Sequence, residues 1–163
     1  MSLNQTLTAL ENTSVGTAVR ESIWLFPTIE TVHVLAIVLV VGSIMIVDLR
    51  LLNLASRRRP VSELLAEVLP WTWGAFACAA ISGSLLFSSS ALKYAHNTPF
   101  RLKMLLLLAA AINMAVFHLG VFRSVSQWDL GQKLPGRARL AGGISLALWV
   151  WVVACGRWIG FTT

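Results

Sequence analysis

Charge is what this 163-residue sequence has least of. Only 12% of its residues are Asp, Glu, Lys or Arg, where a soluble domain carries about a quarter. With 56% apolar residues and a mean hydropathy of +0.73, that deficit excludes a water-soluble globular domain. Cysteine is scarce as well. Cys78 and Cys155 stand alone inside apolar runs, in neither a CxxC nor any other metal-ligand spacing, and read as small buried apolar side chains. There is no internal repeat of 20–50 residues and no low-complexity segment. The first 22 residues lack the cationic start and short apolar core of a cleaved signal peptide.

What is present is long apolar runs. A spanning helix needs roughly 20 mostly apolar residues. Four stretches qualify, at about Ile23–Val47, Leu69–Ala91, Phe100–Phe122 and Leu140–Phe161. The expected fold is an all-α integral membrane protein, a four-helix transmembrane bundle over 23–163 with helices at about 23–50, 66–91, 99–123 and 140–161. Residues 1–22 form a polar N-terminal segment. Leu3, Leu7 and Leu10 recur at helical spacing there, which suits a short helix on the membrane surface; a flexible tail fits equally. Pro27 and Pro99 fall in first helical turns, and Thr98 is placed to cap the third span.

The few charges set an orientation. Arg50, Arg57, Arg58, Arg59, Arg123, Lys133, Arg137 and Arg139 gather on one side, against Arg20, Lys93, Arg101, Lys103 and Arg157 on the other. By the positive-inside rule the 51–68 and 124–139 loops face the cytoplasm and both termini face outward. The expected setting is the inner (cytoplasmic) membrane of a bacterium, with both termini in the periplasm if the source is Gram-negative. The basic pI of about 10.4 follows from loops beside membrane helices and gives no reason to invoke nucleic acid.

Against this background the polar residues inside the spans stand out, because an ionised carboxylate in hydrocarbon costs at least ~2.5 kcal/mol. The stretch "FPTIETVHVLAIVLVVGSIMIVDLR" holds Glu30 and His33 near one end and Asp48 at the other. At ~1.5 Å per residue, His33 lies ~15 Å below the outer surface. Glu30, three residues earlier, shares its face. Lys103 and Arg157 reach the same outer zone, with Lys93, Tyr94 and His96 in the loop above. The inner half has His118, Asp48, Arg50, Trp71 and Trp73, with Asn113 near mid-membrane.

Each has a plain structural reading. Lys103 and Arg157 would snorkel to the interface. Asp48 would pair with Arg50, and the seven tryptophans would form an aromatic belt. His118 would be bonded to a neighbouring backbone carbonyl. The small residues Gly42, Ser43, Ala79–Ser84 and Ala141–Gly143 would let helices approach closely.

The functional reading is a haem. A b-type haem needs an axial imidazole, flat walls of small residues, and cations for its propionates. His33 supplies the first, the glycines and alanines the second, and Lys103, Arg157 or Arg101 the third. Glu30 would orient His33 or carry protons. His118 is the obvious second ligand, but it lies about 15 Å deeper than His33 by helical rise. That leaves two haems, one per membrane half, or one haem at His33 with His96, Met104 or nothing opposite.

"WLFPTIETVHVLAIVLVVGSIMIVDLRLL", "LPWTWGAF", "LKYAHNTPFRLKMLLLLAAAINMAVFH" and "GRWIGF" resemble a bacterial family of small, uncharacterised four-helix membrane proteins over nearly the whole chain. More distantly they are similar to copper-resistance D-type membrane proteins and to the haem-containing, oxygen-independent protoporphyrinogen oxidases. The second likeness implies b-type haem, with His33, Lys103 and His118 as functional positions, although Lys103 and His118 are spaced more widely here. The expected function is a haem b membrane protein carrying electrons, to or from quinone or a redox partner protein. One alternative is a copper-handling or transport protein using Glu30, His33 and His96. The other is a non-catalytic subunit, and four helices suit a homo-oligomer.

Overall fold

The computed structural model describes residues 2–129 and 134–162, and every regular element among them is helical; Lys133 and Thr163 lie outside the described residues. Four helices are long and apolar enough to cross a membrane: α3 (Leu25–Leu51), α4 (Val61–Ser89), α6 (Thr98–Leu119) and α7 (Gly136–Thr162). Two short helices precede them, α1 (Leu3–Glu11) and α2 (Ser14–Glu21). The six-residue α5 (Ala91–His96) joins α4 to α6, and a 3₁₀ helix over Val121–Gln127 follows α6.

The N-terminal segment is thus two helices and not a tail. Ser2 and Gln5 close a capping box on α1, and the Thr13 hydroxyl caps α2. The pair docks on the end of the bundle where α3 begins and α4 ends, here called the outer end after the charge asymmetry of the sequence. The Glu11 carboxylate accepts from the Leu92 N–H at the start of α5, 2.8 Å. Arg20 donates to the Glu11 and Ser89 carbonyls. Gly16 lies so close that a Cβ would stand 2.7 Å from the carbonyl oxygens of Glu11 and Ser88.

Caps explain where the spans begin. α4 starts at Val61, well before its apolar run, because the Asp129 carboxylate accepts from the Val61 and Ser62 N–H groups and from the Ser62 hydroxyl. The first-turn donors are so satisfied by a residue remote in sequence. α6 is capped by Asn97 and not by Thr98: its Oδ1 accepts from Phe100 N–H at 3.0 Å, while its amide donates to Thr162 at the end of α7. Pro27 and Pro99 lie in first turns as expected.

α3 packs along α4, α6 along α7, and α3 also against α7. α4 and α6 share no comparable packing, so the ring of spans runs α4–α3–α7–α6 with a gap between its ends. α3 and α7 approach closely where a Cβ on Gly142 would meet Leu51 Cβ at 2.9 Å. The α3–α4 and α6–α7 pairs are tied by Thr72 to Ser43 (2.8 Å) and by Asn113 to the Ala141 carbonyl (3.1 Å). A plug of Val47, Leu51, Val61, Leu64, Phe117 and Trp128 closes the inner end. Trp128 therefore belongs to the core, with its indole N–H on Ser124, and not to an aromatic belt. Trp24, Trp71 and Trp158 do face outward.

Candidate functional site

The outer half brings one group together from all four spans. His33 projects from α3 onto α4, where its Nδ1 lies 3.0 Å from Ser82 Oγ. The Ser82 hydroxyl is itself 2.7 Å from the Cys78 carbonyl, and only the hydroxyl can donate there. Ser82 therefore accepts from His33, which places the imidazole proton on Nδ1 and leaves the Nε2 lone pair free. The ring lies against Gly83, where a Cβ would meet its Cε1 at 2.8 Å. Ser82 is buried and His33 half-buried.

Lys103 reaches this group from α6. Its ammonium lies beside Gly156 of α7, 3.9 Å from where a Cβ would stand. Lys103 is half-buried and has no carboxylate within bridging distance among the described residues. The ion pairs found there are those of Arg59 with Glu63 (3.2 Å) and Glu67 (2.6 Å).

Other expected members stand apart. Glu30 is exposed on α3. Burial first, and then the Glu30 charge, push the Tyr94 phenol above its ordinary pKa. Tyr94 packs with Phe87 and Phe100, whose rings stack at 5.3 Å. Arg157 is exposed, its guanidinium 4.8 Å from the centre of the Phe161 ring. His96 points to the N-terminal segment, with Nε2 3.4 Å from Asn4 Oδ1. Glu30, His33 and His96 therefore do not converge, and no trio of His, Cys, Asp or Glu suited to a metal forms among the described residues.

The inner half holds a cavity of about 240 Å³ between the spans. Its walls are apolar except for Asp48, Thr72, Asn113, His118 and Ser145. His118 Nδ1 donates to the Met114 carbonyl one turn earlier (3.0 Å), the backbone bond expected of a packing histidine, and its Nε2 is again free. Asp48 and Arg50 are both buried, yet no ion pair joins them. Arg50 Nε donates instead to the Arg59 carbonyl (2.8 Å), and Asp48 Oδ2 has no hydrogen-bond partner among the described residues. His33 is fifteen residues from Asp48 on α3, and Lys103 fifteen from His118 on α6. The two groups are thus separated by roughly 22 Å along the bundle axis.

Fold and site together define a multi-pass, all-α membrane protein with two polar centres at different depths. Over residues 17–162 the chain matches the model of a family of unknown function (DUF6644), and it belongs to that family. No curated protein and no solved structure matches it. The comparisons lend no support to the likeness to copper-resistance D-type proteins or to protoporphyrinogen oxidases.

Proposed function

We propose that this protein binds b-type haem in the outer half of its bundle and carries electrons in the cytoplasmic membrane of a bacterium, with both termini outside. One observation carries the reading: an imidazole with a free Nε2 and its tautomer fixed by Ser82 shares the outer layer of the bundle with an ammonium that has no carboxylate within bridging distance among the described residues. A neutral imidazole held by its far nitrogen is a good iron ligand. A half-buried cation without a carboxylate asks for an anion, and propionate is one. His33 would hold the iron, Lys103 a propionate, and Gly83 gives the imidazole room. Bound there, haem supplies one-electron chemistry. The chain's own part is to fix the imidazole and set the local charge.

The copper reading is less favoured, since His96 points to Asn4 and no trio of His, Cys, Asp or Glu suited to a metal forms among the described residues. The test is the absorption spectrum of protein expressed with ample haem. We expect a Soret band that sharpens on reduction and disappears in His33→Ala. Lys103→Ala should lower the midpoint potential, because removing a cation favours ferric iron, and Lys103→Arg should restore it. A colourless parent protein would refute the proposal.

A further inference from the structure

The inner cavity is outside that reading, and it carries chemistry of its own. Asp48 is only 4% exposed, lines the cavity, and leaves Oδ2 without a partner among the described residues. Native proteins rarely leave a buried polar atom unpaired, and such an atom inside a bilayer marks a functional site by default. His118 lines the same cavity and has spent Nδ1–H on its own helix, so Nε2 is a second unused acceptor. Asn113 is also present, with one amide hydrogen committed to Ala141.

Size restricts what can enter. Sites for drug-sized ligands run to roughly 300–1,000 Å³, and this cavity holds about 240 Å³. That is room for a single substituted ring. Access restricts it further. The cavity draws walls from all four spans, but α4 and α6 are not packed together. Trp73 and Phe76 on α4 and Met114 on α6 line the cavity and are exposed. The mouth therefore opens sideways, between α4 and α6, into lipid.

We infer that this cavity binds the head of a membrane quinol, its hydroxyls on Asp48 and His118 and its apolar tail leaving between α4 and α6. A hydroxyl both donates and accepts, so it suits Asp48 with or without a carboxyl proton, and it can donate to His118 Nε2. A quinone carbonyl only accepts. It suits Asp48 in one protonation state and never suits the His118 lone pair. The polar lining thus selects the reduced ring over the oxidised one and over a bare hydrocarbon. This binding does not require haem at His33.

Anaerobic calorimetry on the purified full-length protein tests it with three probes of one shape: tetramethylhydroquinone, tetramethylbenzoquinone and tetramethylbenzene. The hydroquinone should bind at least about tenfold more tightly than the other two, one hydrogen bond or more in free energy. Asp48→Leu and His118→Leu should each remove most of that preference. Ala111→Phe adds a ring at the α6 wall of the cavity and should weaken binding of all three. Should Asp48→Leu not fold, His118→Leu and Ala111→Phe decide the matter. Equal affinity for the hydroquinone and the hydrocarbon, preference for the quinone, or unchanged affinity in Ala111→Phe would overturn the inference. A colourless protein that still binds the hydroquinone would refute the haem and leave this site standing.

Discussion

Replacing Gly83 by alanine should damage this protein, although the same change in a helix interior usually helps. The added Cβ would lie 2.8 Å from His33 Cε1 and 3.4 Å from Nδ1. Ordinary contact begins near 3.4 Å, so the ring must retreat by the difference from 2.8 Å, about 0.6 Å. The Nδ1–Ser82 bond is 3.0 Å long. The same retreat along that bond takes it to about 3.6 Å, beyond hydrogen-bonding distance. Its loss costs ~0.6–1 kcal/mol, and overpacking adds roughly 1–3 kcal/mol. Helix propensity returns up to ~1 kcal/mol. The net is a loss of about 0.6–4 kcal/mol, readable as an earlier midpoint in detergent-denaturant titration followed by circular dichroism. Gly42, which has nothing within 4 Å of a Cβ, is the internal control, and Gly42→Ala should be neutral or stabilising. Equal midpoints for the two variants would show that the His33 ring does not rest on Gly83.

Two further outcomes follow from caps and charge. Asp129→Ala strips the first turn of α4 of its acceptor and should cost ~1–2 kcal/mol in the same titration, with Asp129→Asn recovering most of it; no effect would mean that another group serves the Val61 and Ser62 donors. A periplasm-active reporter fused after Thr163 should be active and a cytoplasm-active one silent, since the basic residues concentrate at the other end of the spans; the reverse would invert which centre is outer and which inner.

The spans were legible in the sequence because apolar runs of that length have one stable solution in lipid. Their ends were less so. α4 begins at Val61 because Asp129 caps it from far along the chain, and no local pattern announces such a cap. The N-terminal helices are short and polar, yet they are fixed by docking of Gly16, Arg20 and Glu11 on the bundle's outer end. Among the site residues, depth along a helix was readable and direction around it was not. Helical rise put Glu30, His33, Lys103 and Arg157 in one layer, but only His33 and Lys103 turn inward. The partners Ser82 and Gly83 were hidden in a run of small residues that reads equally well as packing. Asp48 and Arg50, two apart on one helix, point to different sides, and that separation creates the orphan oxygen of the inner cavity.

The same geometry predicts how the two histidines behave when both are removed. If one haem iron were shared by His33 and His118, either substitution would destroy the site and the second would cost little more. Roughly 22 Å of helix separates their layers. His33 is held by Ser82 on the neighbouring helix, whereas His118 bonds within its own. They share no partner. Substitutions farther apart than ~7–10 Å with no shared partner add within ~0.3–0.5 kcal/mol. The stability losses of His33→Ala and His118→Ala should therefore sum in the double variant, and the first should leave hydroquinone affinity unchanged while the second leaves the Soret band in place. A coupling energy above ~1 kcal/mol, or loss of the Soret band in His118→Ala, would mean that the two layers act as one centre.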